Sequence, residues 1–281
     1  MSISPERRAS LFRKTERDLL KLSLNQEPEP VHRFRTSVRR LQTLLEEFVP
    51  EPSRKQKKLL KLLGQIRKRA GKVRDLDVQL AALRSLKIPQ EPRRKTRLTH
   101  NLIELREKHE KQLRKLLTKD HIRDLRKRLK RTLKDVTAES SADPLVVARQ
   151  TLAQVNRPSG SLTQDVLHQY RVAVKRARYA AELAPQSAEA TQFIAQMKRL
   201  QDAIGDWHDW LTLTQSAEAR IGHVHHSSLV AALRNVTAGK FRRAAASLPA
   251  AQPSRRPVVT PLSQPSRTLG LVNPAQDNSA A

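Results

Sequence analysis

Two stretches of this chain place a histidine and two cations at one spacing. His32, Arg35 and Arg39 stand at i, i+3 and i+7 in Val31-His32-Arg33-Phe34-Arg35-Thr36-Ser37-Val38-Arg39-Arg40. The pattern returns 136 residues on as His168, Arg171 and Lys175 in Leu167-His168-Gln169-Tyr170-Arg171-Val172-Ala173-Val174-Lys175-Arg176, and the match continues to Glu46 and Glu182. On an α-helix that spacing aligns the three side chains on successive turns of one face. Arginine's planar fork bridges two phosphate oxygens, lysine adds a compact charge, and a histidine beside phosphates is drawn toward its protonated, doubly donating form. These groups suit the holding of a phosphorylated anion rather than its chemical conversion.

At about 100° per residue, Val31, Phe34, Val38, Leu41, Leu44, Leu45 and Phe48 gather on one side of the first stretch. His32, Arg35, Thr36, Arg39, Thr43 and Glu46 fall opposite. In the second copy Tyr179 joins the row and Arg178 sits at its edge. A solvated basic face would show the same amphipathic pattern. Against that reading, like charges at i and i+4 destabilise a helix, and both copies carry them, as Arg35/Arg39 and Arg171/Lys175. An anion between the rows would relieve the repulsion.

A second pair of motifs follows. Gly71-Lys72-Val73-Arg74-Asp75-Leu76-Asp77 matches Gly205-Asp206-Trp207-His208-Asp209-Trp210-Leu211 at an offset of 134. The glycines are expected to let two helices approach closely, and Asp75 or Asp209 to hold a neighbouring Arg or His, with ordinary salt bridges as the alternative. Paired Asp75 and Asp77 lack a nearby third ligand for a metal. Lys57, Lys58, Lys61, Arg67, Lys68 and Arg74 extend the basic surface of the first half. His223-Val224-His225-His226 has a chelator's look but lies in an expected loop with no carboxylate close by. No G-x-x-x-x-G-K-[ST] motif and no dense carboxylate group occurs, so no enzyme activity and no cofactor is expected.

The elements that must position these residues read as helices throughout. Only 7 glycines occur, and Leu, Ala, Lys, Arg, Glu and Gln dominate, with no strand-like alternation. Helices are predicted over residues 5–24, 29–49, 53–86, 93–135 with a break around Thr118 to Asp120, 143–156, 161–184, 187–220 and 226–247. Prolines 30, 50, 52, 89, 92, 144, 158 and 185 punctuate them. Residues 249–281, rich in Pro, Ser, Ala, Gln and Asn, are expected to be a disordered tail.

With 55 Lys and Arg against 27 Asp and Glu, the formal charge is +28, which calls for a polyanionic partner. Residues 1–140 hold 39 of the basic and 18 of the acidic residues, so most of the excess lies there. The absence of cysteine excludes disulfides and thiolate metal sites. No apolar stretch suits a signal peptide or a membrane span, so no membrane partner and a cytoplasmic location are expected.

Taken together, His-x-x-Arg-x-x-x-(Arg/Lys)-Arg twice, with Gly-x-x-Arg-Asp-x-Asp-Val and Gly-x-x-His-Asp, resemble the CHAD family, the conserved histidine α-helical domain, over about residues 5–247. The resemblance implies an all-α fold of two pseudosymmetric four-helix units, about residues 5–136 and 142–247, forming one helical domain around a basic groove or pore. It implies binding of inorganic polyphosphate and concentration at polyphosphate granules. Carried across by position, it implicates His32, Arg35, Arg39 and Arg40, and His168, Arg171, Lys175, Arg176, Arg178 and Tyr179. Gln42 departs from the pattern, its counterpart Arg178 being commonly basic, and Trp207, His208 and Leu211 differ from Val73, Arg74 and Asp77, which gives the second glycine motif a structural reading. The competing function is a nucleic-acid-binding or condensing protein. Aromatic residues at 3% offer few stacking platforms for single strands, and no helix-turn-helix or zinc-finger signature occurs.

Overall fold

Local capping chemistry starts most of the elements in the computed structural model, which describes residues 3–88, 91–136, 142–155, 162–221 and 226–248. Helix α1 spans Pro5–Leu24, α2 Pro28–Glu47 and α3 Arg54–Ser85. They are followed by α4 (Pro92–Arg114), α5 (Lys119–Asp135) and α6 (Pro144–Ala153). Helices α7 (Gln164–Ala181), α8 (Ala188–Glu218) and α9 (Ser228–Ser247) complete the order. Ser4, Ser53, Thr118, Asp143, Thr163, Ser187 and Ser227 each accept a backbone N–H at a helix start. At α3 the cap is reciprocal, with the Gln56 side chain accepting from the Ser53 N–H at 2.7 Å. Proline in the first turn of α1, α2, α4 and α6 gives up an N–H that had no partner there.

The expected break in the long fourth segment is the Thr118 cap, which accepts from His121. Helix α7 is shorter than predicted at both ends. Thr163 caps its start, and at its end Leu183 and Ala184 donate to the carbonyls of Ala180 and Ala181, a tightened turn ahead of Pro185. All structure among the described residues is helical, and none of these helices is long and apolar enough to cross a membrane. The expected tail, 249–281, and His223 to His225 lie outside the described residues.

Helices α2 and α7, which carry the two cation rows, pack against each other, and so do α3 and α8, which follow them. The apolar face predicted for α2 is the one it buries: Val31, Phe34, Leu41, Leu44 and Leu45 are fully buried and Val38 and Phe48 nearly so. They join a core that also takes side chains from α1, α3, α5, α6, α7 and α8. A second core joins Leu76, Leu80 and Leu83 of α3 to Leu98 and Leu102 of α4, Leu213 of α8 and Leu229 and Leu233 of α9. Both cores draw on helices from either side of residue 140, so the positions of α2 and α3 relative to α7 and α8 are set by shared packing. A buried hydrogen bond from Ser37 to the Asp18 carboxylate fixes α1 across α2.

Phe34 lies on the side of α2 opposite the cation row. Phe34→Ala is expected to destabilise the protein by about 3–5 kcal/mol, the usual cost of emptying such a core position. The loss of the Ser53 cap in Ser53→Ala should cost about 1 kcal/mol. Urea denaturation followed by circular dichroism measures both, and a Phe34→Ala midpoint equal to wild type would contradict this placement.

Candidate anion-binding site

Two adjoining cavities open where α2, α3, α7 and α8 converge. The larger, about 560 Å³, is lined by His32, Arg35, Thr36 and Arg39 of α2, Arg74 and Asp75 of α3, Arg171, Lys175 and Tyr179 of α7, and Gln201 to Asp209 positions of α8 that include His208. The smaller, about 300 Å³, adds Gln42, Glu46 and Glu47 of α2, Arg67 of α3 and Arg176 of α7. Arg39, Arg171, Lys175 and Tyr179 line both. This shared waist contains no carboxylate. Asp75, Asp202, Asp206 and Asp209 line only the larger cavity, and Glu46 and Glu47 only the smaller.

The structure divides the sequence-selected cations into three groups. Arg35, Arg39, Arg67, Arg74, Arg171, Lys175 and Arg176 line the cavities, as do His32 and Tyr179. Arg40 and Arg178 instead meet Glu182, at 2.6 and 3.3 Å. Arg178 also lies over the Tyr179 ring, 5.3 Å from its centroid. Lys57, Lys61 and Lys68 are exposed on α3 and line neither cavity. His168 stands beside the larger cavity, its ring 5.8 Å from that of His208.

Two ion pairs cross between α2 and α7 in opposite senses. Arg40 of α2 donates to Glu182 just past the end of α7, and Arg176 of α7 donates to Glu47 at the end of α2. They hold together two helices whose facing cations repel. Gln42 donates both ways to Glu46, at 2.9 and 3.0 Å, so that position supplies an amide where the second copy has Arg178.

The glycine motifs act differently from the close helix approach expected of them. A Cβ at Gly71 would lie 3.7 Å from the Arg35 guanidinium. That is an ordinary contact distance, so the Arg35 side chain packs over Gly71 without requiring a glycine there, and Asp75 one turn on faces the same guanidinium at 3.6 Å. Gly205 has nothing within 4 Å of its missing Cβ and lines the larger cavity. Asp77 takes up Arg106 of α4 at 2.7 Å, so the two aspartates of that motif turn to different partners. His208, read from sequence as part of a structural motif, lines the cavity with its Nδ1 3.7 Å from Asp209. The signal for it in the sequence is its alignment with Arg74. Trp207 beside it is buried in the core.

Burial and crowding set the charge states. Lys175 is pushed down to about 7, first by burial and then by Arg171 and Arg39, with Asp209 opposing. Burial also lowers Arg35, Arg67 and Arg171 from the usual arginine range, although a guanidinium stays charged in any physiological medium. His32 and His168 are lowered too, by burial and then by Arg74 and by His208 respectively. Without an anion these shifts favour the neutral imidazoles, and the protonation expected from sequence is that of a histidine beside phosphate. The Nε atoms of Arg67 and Arg171 are buried with no hydrogen-bond partner among the described residues, an arrangement proteins seldom leave without a purpose.

The family model for the CHAD domain matches residues 8–218 of the chain. No curated protein matches it. Among solved structures the fold is similar to the crystal structure of the CHAD domain from the plant Ricinus communis, with a TM-score of 0.60 and 18% identity over 85% of each chain.

Replacing Lys175 tests the crowding directly. Its lowered pKa means that unfolding takes up a proton between about 7 and the ordinary lysine value of about 10.4, so Lys175 subtracts stability throughout the range below about 7 and progressively less as pH rises above it. Lys175→Met should therefore be more stable than wild type at pH 6 to 7 in anion-free buffer, with the advantage shrinking toward pH 10. Thermal melts across that range decide it, and a variant less stable at pH 6 than wild type would contradict the assignment.

Proposed function

The chain belongs to the CHAD domain family, which is associated in general with polyphosphate binding, and on that footing we propose that it binds inorganic polyphosphate in the two joined cavities without converting it. The observation that carries the reading is the waist: Arg39, Arg171 and Lys175 share both cavities and have no carboxylate among the residues common to the two. Each of the neighbouring ion pairs, Arg40 with Glu182 and Arg176 with Glu47, shows what the fold does with an arginine that it neutralises internally. The waist cations are left for an outside anion.

A linear phosphate chain suits the site in shape and chemistry. It carries charge on every unit, has no bases to accommodate, and can run through the waist from one cavity to the other. Guanidinium and ammonium groups would meet its oxygens in charge-assisted hydrogen bonds, and counterion release would supply much of the affinity. His32 lines the larger cavity and His168 stands beside it, and both would gain protons as phosphate charge approaches. Localisation at polyphosphate granules follows from such binding.

A nucleic acid meets the same charge less well. Tyr179 is the one aromatic residue lining both cavities and is 6% exposed, and the Trp207 and Phe34 rings are buried. Single strands bind through exposed stacking platforms as well as charge. The exposed lysines of α3 would support only loose contact with a phosphate backbone.

Titration of the full chain with polyphosphate of defined length tests the reading. Replacing Arg35, Arg39, Arg171 and Lys175 together with alanine should weaken binding by about a hundredfold or more while helical content by circular dichroism is retained. Raising the salt concentration should weaken wild-type binding steeply. Equal affinity of the two proteins would remove these helix faces from the site. Displacement of polyphosphate by DNA at matched charge would favour the nucleic-acid reading, and release of orthophosphate by the purified protein would end the non-catalytic one.

A further inference from the structure

Lys175 has a chemistry that anion binding does not use. We propose that its amine is a site of acylation by acyl phosphates, the small mixed anhydrides of a carboxylic and a phosphoric acid, with Arg39 and Arg171 drawing in the phosphate end. The inference rests on the anion-binding reading only for how the reagent is concentrated.

The placement supplies what such a reaction needs. Lys175 lines both cavities, so its side chain borders the space that an anion would occupy on either side of the waist. It makes no ion pair within 4 Å among the described residues, whereas Lys240 is tied to Asp206 at 2.6 Å. The cavities that it lines also hold carboxylates, Asp75, Asp202, Asp206 and Asp209 in the larger and Glu46 and Glu47 in the smaller, but the charges that act on it most are Arg171 of its own helix, Arg39 and Arg35 of α2, and Asp209 of α8. Cations dominate that list, and with burial they hold the ammonium near 7. An ordinary lysine is about 0.1% free amine at pH 7.5. Lys175 is mostly free amine at that pH, the condition under which a lysine becomes a nucleophile.

The step balances without a further reactant. The Nζ lone pair attacks the acyl carbon and a C–N bond forms. The bond from that carbon to the bridging phosphate oxygen breaks, orthophosphate leaves with the electron pair, and the amine proton passes to it. Guanidinium groups that hold the phosphate also stabilise the charge that develops on the leaving oxygen. The product is an Nε-acyl-lysine that can no longer be protonated. It fills the waist with an uncharged amide and so lowers the affinity of the site for polyanions.

Acetyl phosphate is the probe. The full chain is incubated with it at pH 7.5, and acetylation at each lysine is followed over time by peptide mass spectrometry. Lys175 should be acetylated about tenfold or more faster than the exposed Lys57 and Lys61, given its much larger free-amine fraction, and in polyphosphate-binding protein saturating tripolyphosphate should abolish that advantage. Lys175 reacting no faster than Lys57 and Lys61 overturns the proposal, whatever affinity for polyphosphate the same sample shows. Fast acetylation of Lys175 in protein that fails to bind polyphosphate leaves the proposal standing and removes the reading on which granule association rests.

Discussion

Repulsion among Arg39, Arg171 and Lys175 is the constraint around which the rest of this structure is arranged. Two helices bring these cations to one waist, where none of the three is in an ion pair within 4 Å among the described residues and Asp209 offsets the crowding only in part. The opposing force is apolar. The other side of α2 contributes Val31, Phe34, Leu41, Leu44 and Leu45 to the core with no solvent exposure, and α7 contributes Leu167, Val174 and Ala177 in the same way. Each such side chain is worth about 1.5–3 kcal/mol on burial, alanine less, so a few of them outweigh the crowding of three partly screened charges.

Charge is sorted by position rather than averaged. Arginines at the edges of the α2 and α7 contact are answered by carboxylates, Arg40 and Arg178 by Glu182 and Arg176 by Glu47. On α4, Arg106 and Arg114 are held by Asp77, Glu110 and Gln26, which ties α3 and α4 to the loop after α1. Breaking such pairs would leave partly buried charge uncompensated. The cations left over lie together and face space. Burial alone would disfavour that arrangement, and the lowered Lys175 ammonium is its direct expression.

Sequence carried the helices and the cation rows because helical periodicity is local. Once α2 and α7 are helices, His32, Arg35 and Arg39 must share a face, and the seven apolar positions opposite must seek a core. Which arginines would be neutralised was not legible, since Arg40 finds its carboxylate 142 positions away and Arg176 finds its own 129 away. The resemblance to the CHAD family places both among the phosphate ligands by position, and Arg176 does line the smaller cavity. Gly71 is a marked position in the sequence, but that the Arg35 side chain packs over it depends on how α2 lies against α3. The departures at Trp207, His208 and Leu211 give that motif a structural reading in sequence, and only packing shows that Trp207 turns into the core while His208 lines the cavity. The lowered values of His32, His168 and Lys175 likewise depend on neighbours brought in by other helices, Arg74 at His32, His208 at His168 and Arg39 at Lys175, as well as on how far each is desolvated.

If the site binds as proposed, the waist holds suppressed positive charge that a polyanion restores. Isothermal titration of tripolyphosphate into the full chain at pH 8, in buffers of different ionisation enthalpy, measures the protons exchanged on binding. Above about 7 the Lys175 amine is largely unprotonated, so binding should take up protons at pH 8, toward about one from Lys175 alone, with uptake falling away as the pH is lowered below the values of Lys175, His32 and His168. Tight binding with the same heat in every buffer at pH 8 would contradict the claim, because it would mean that the cations at the waist were fully charged before the anion arrived.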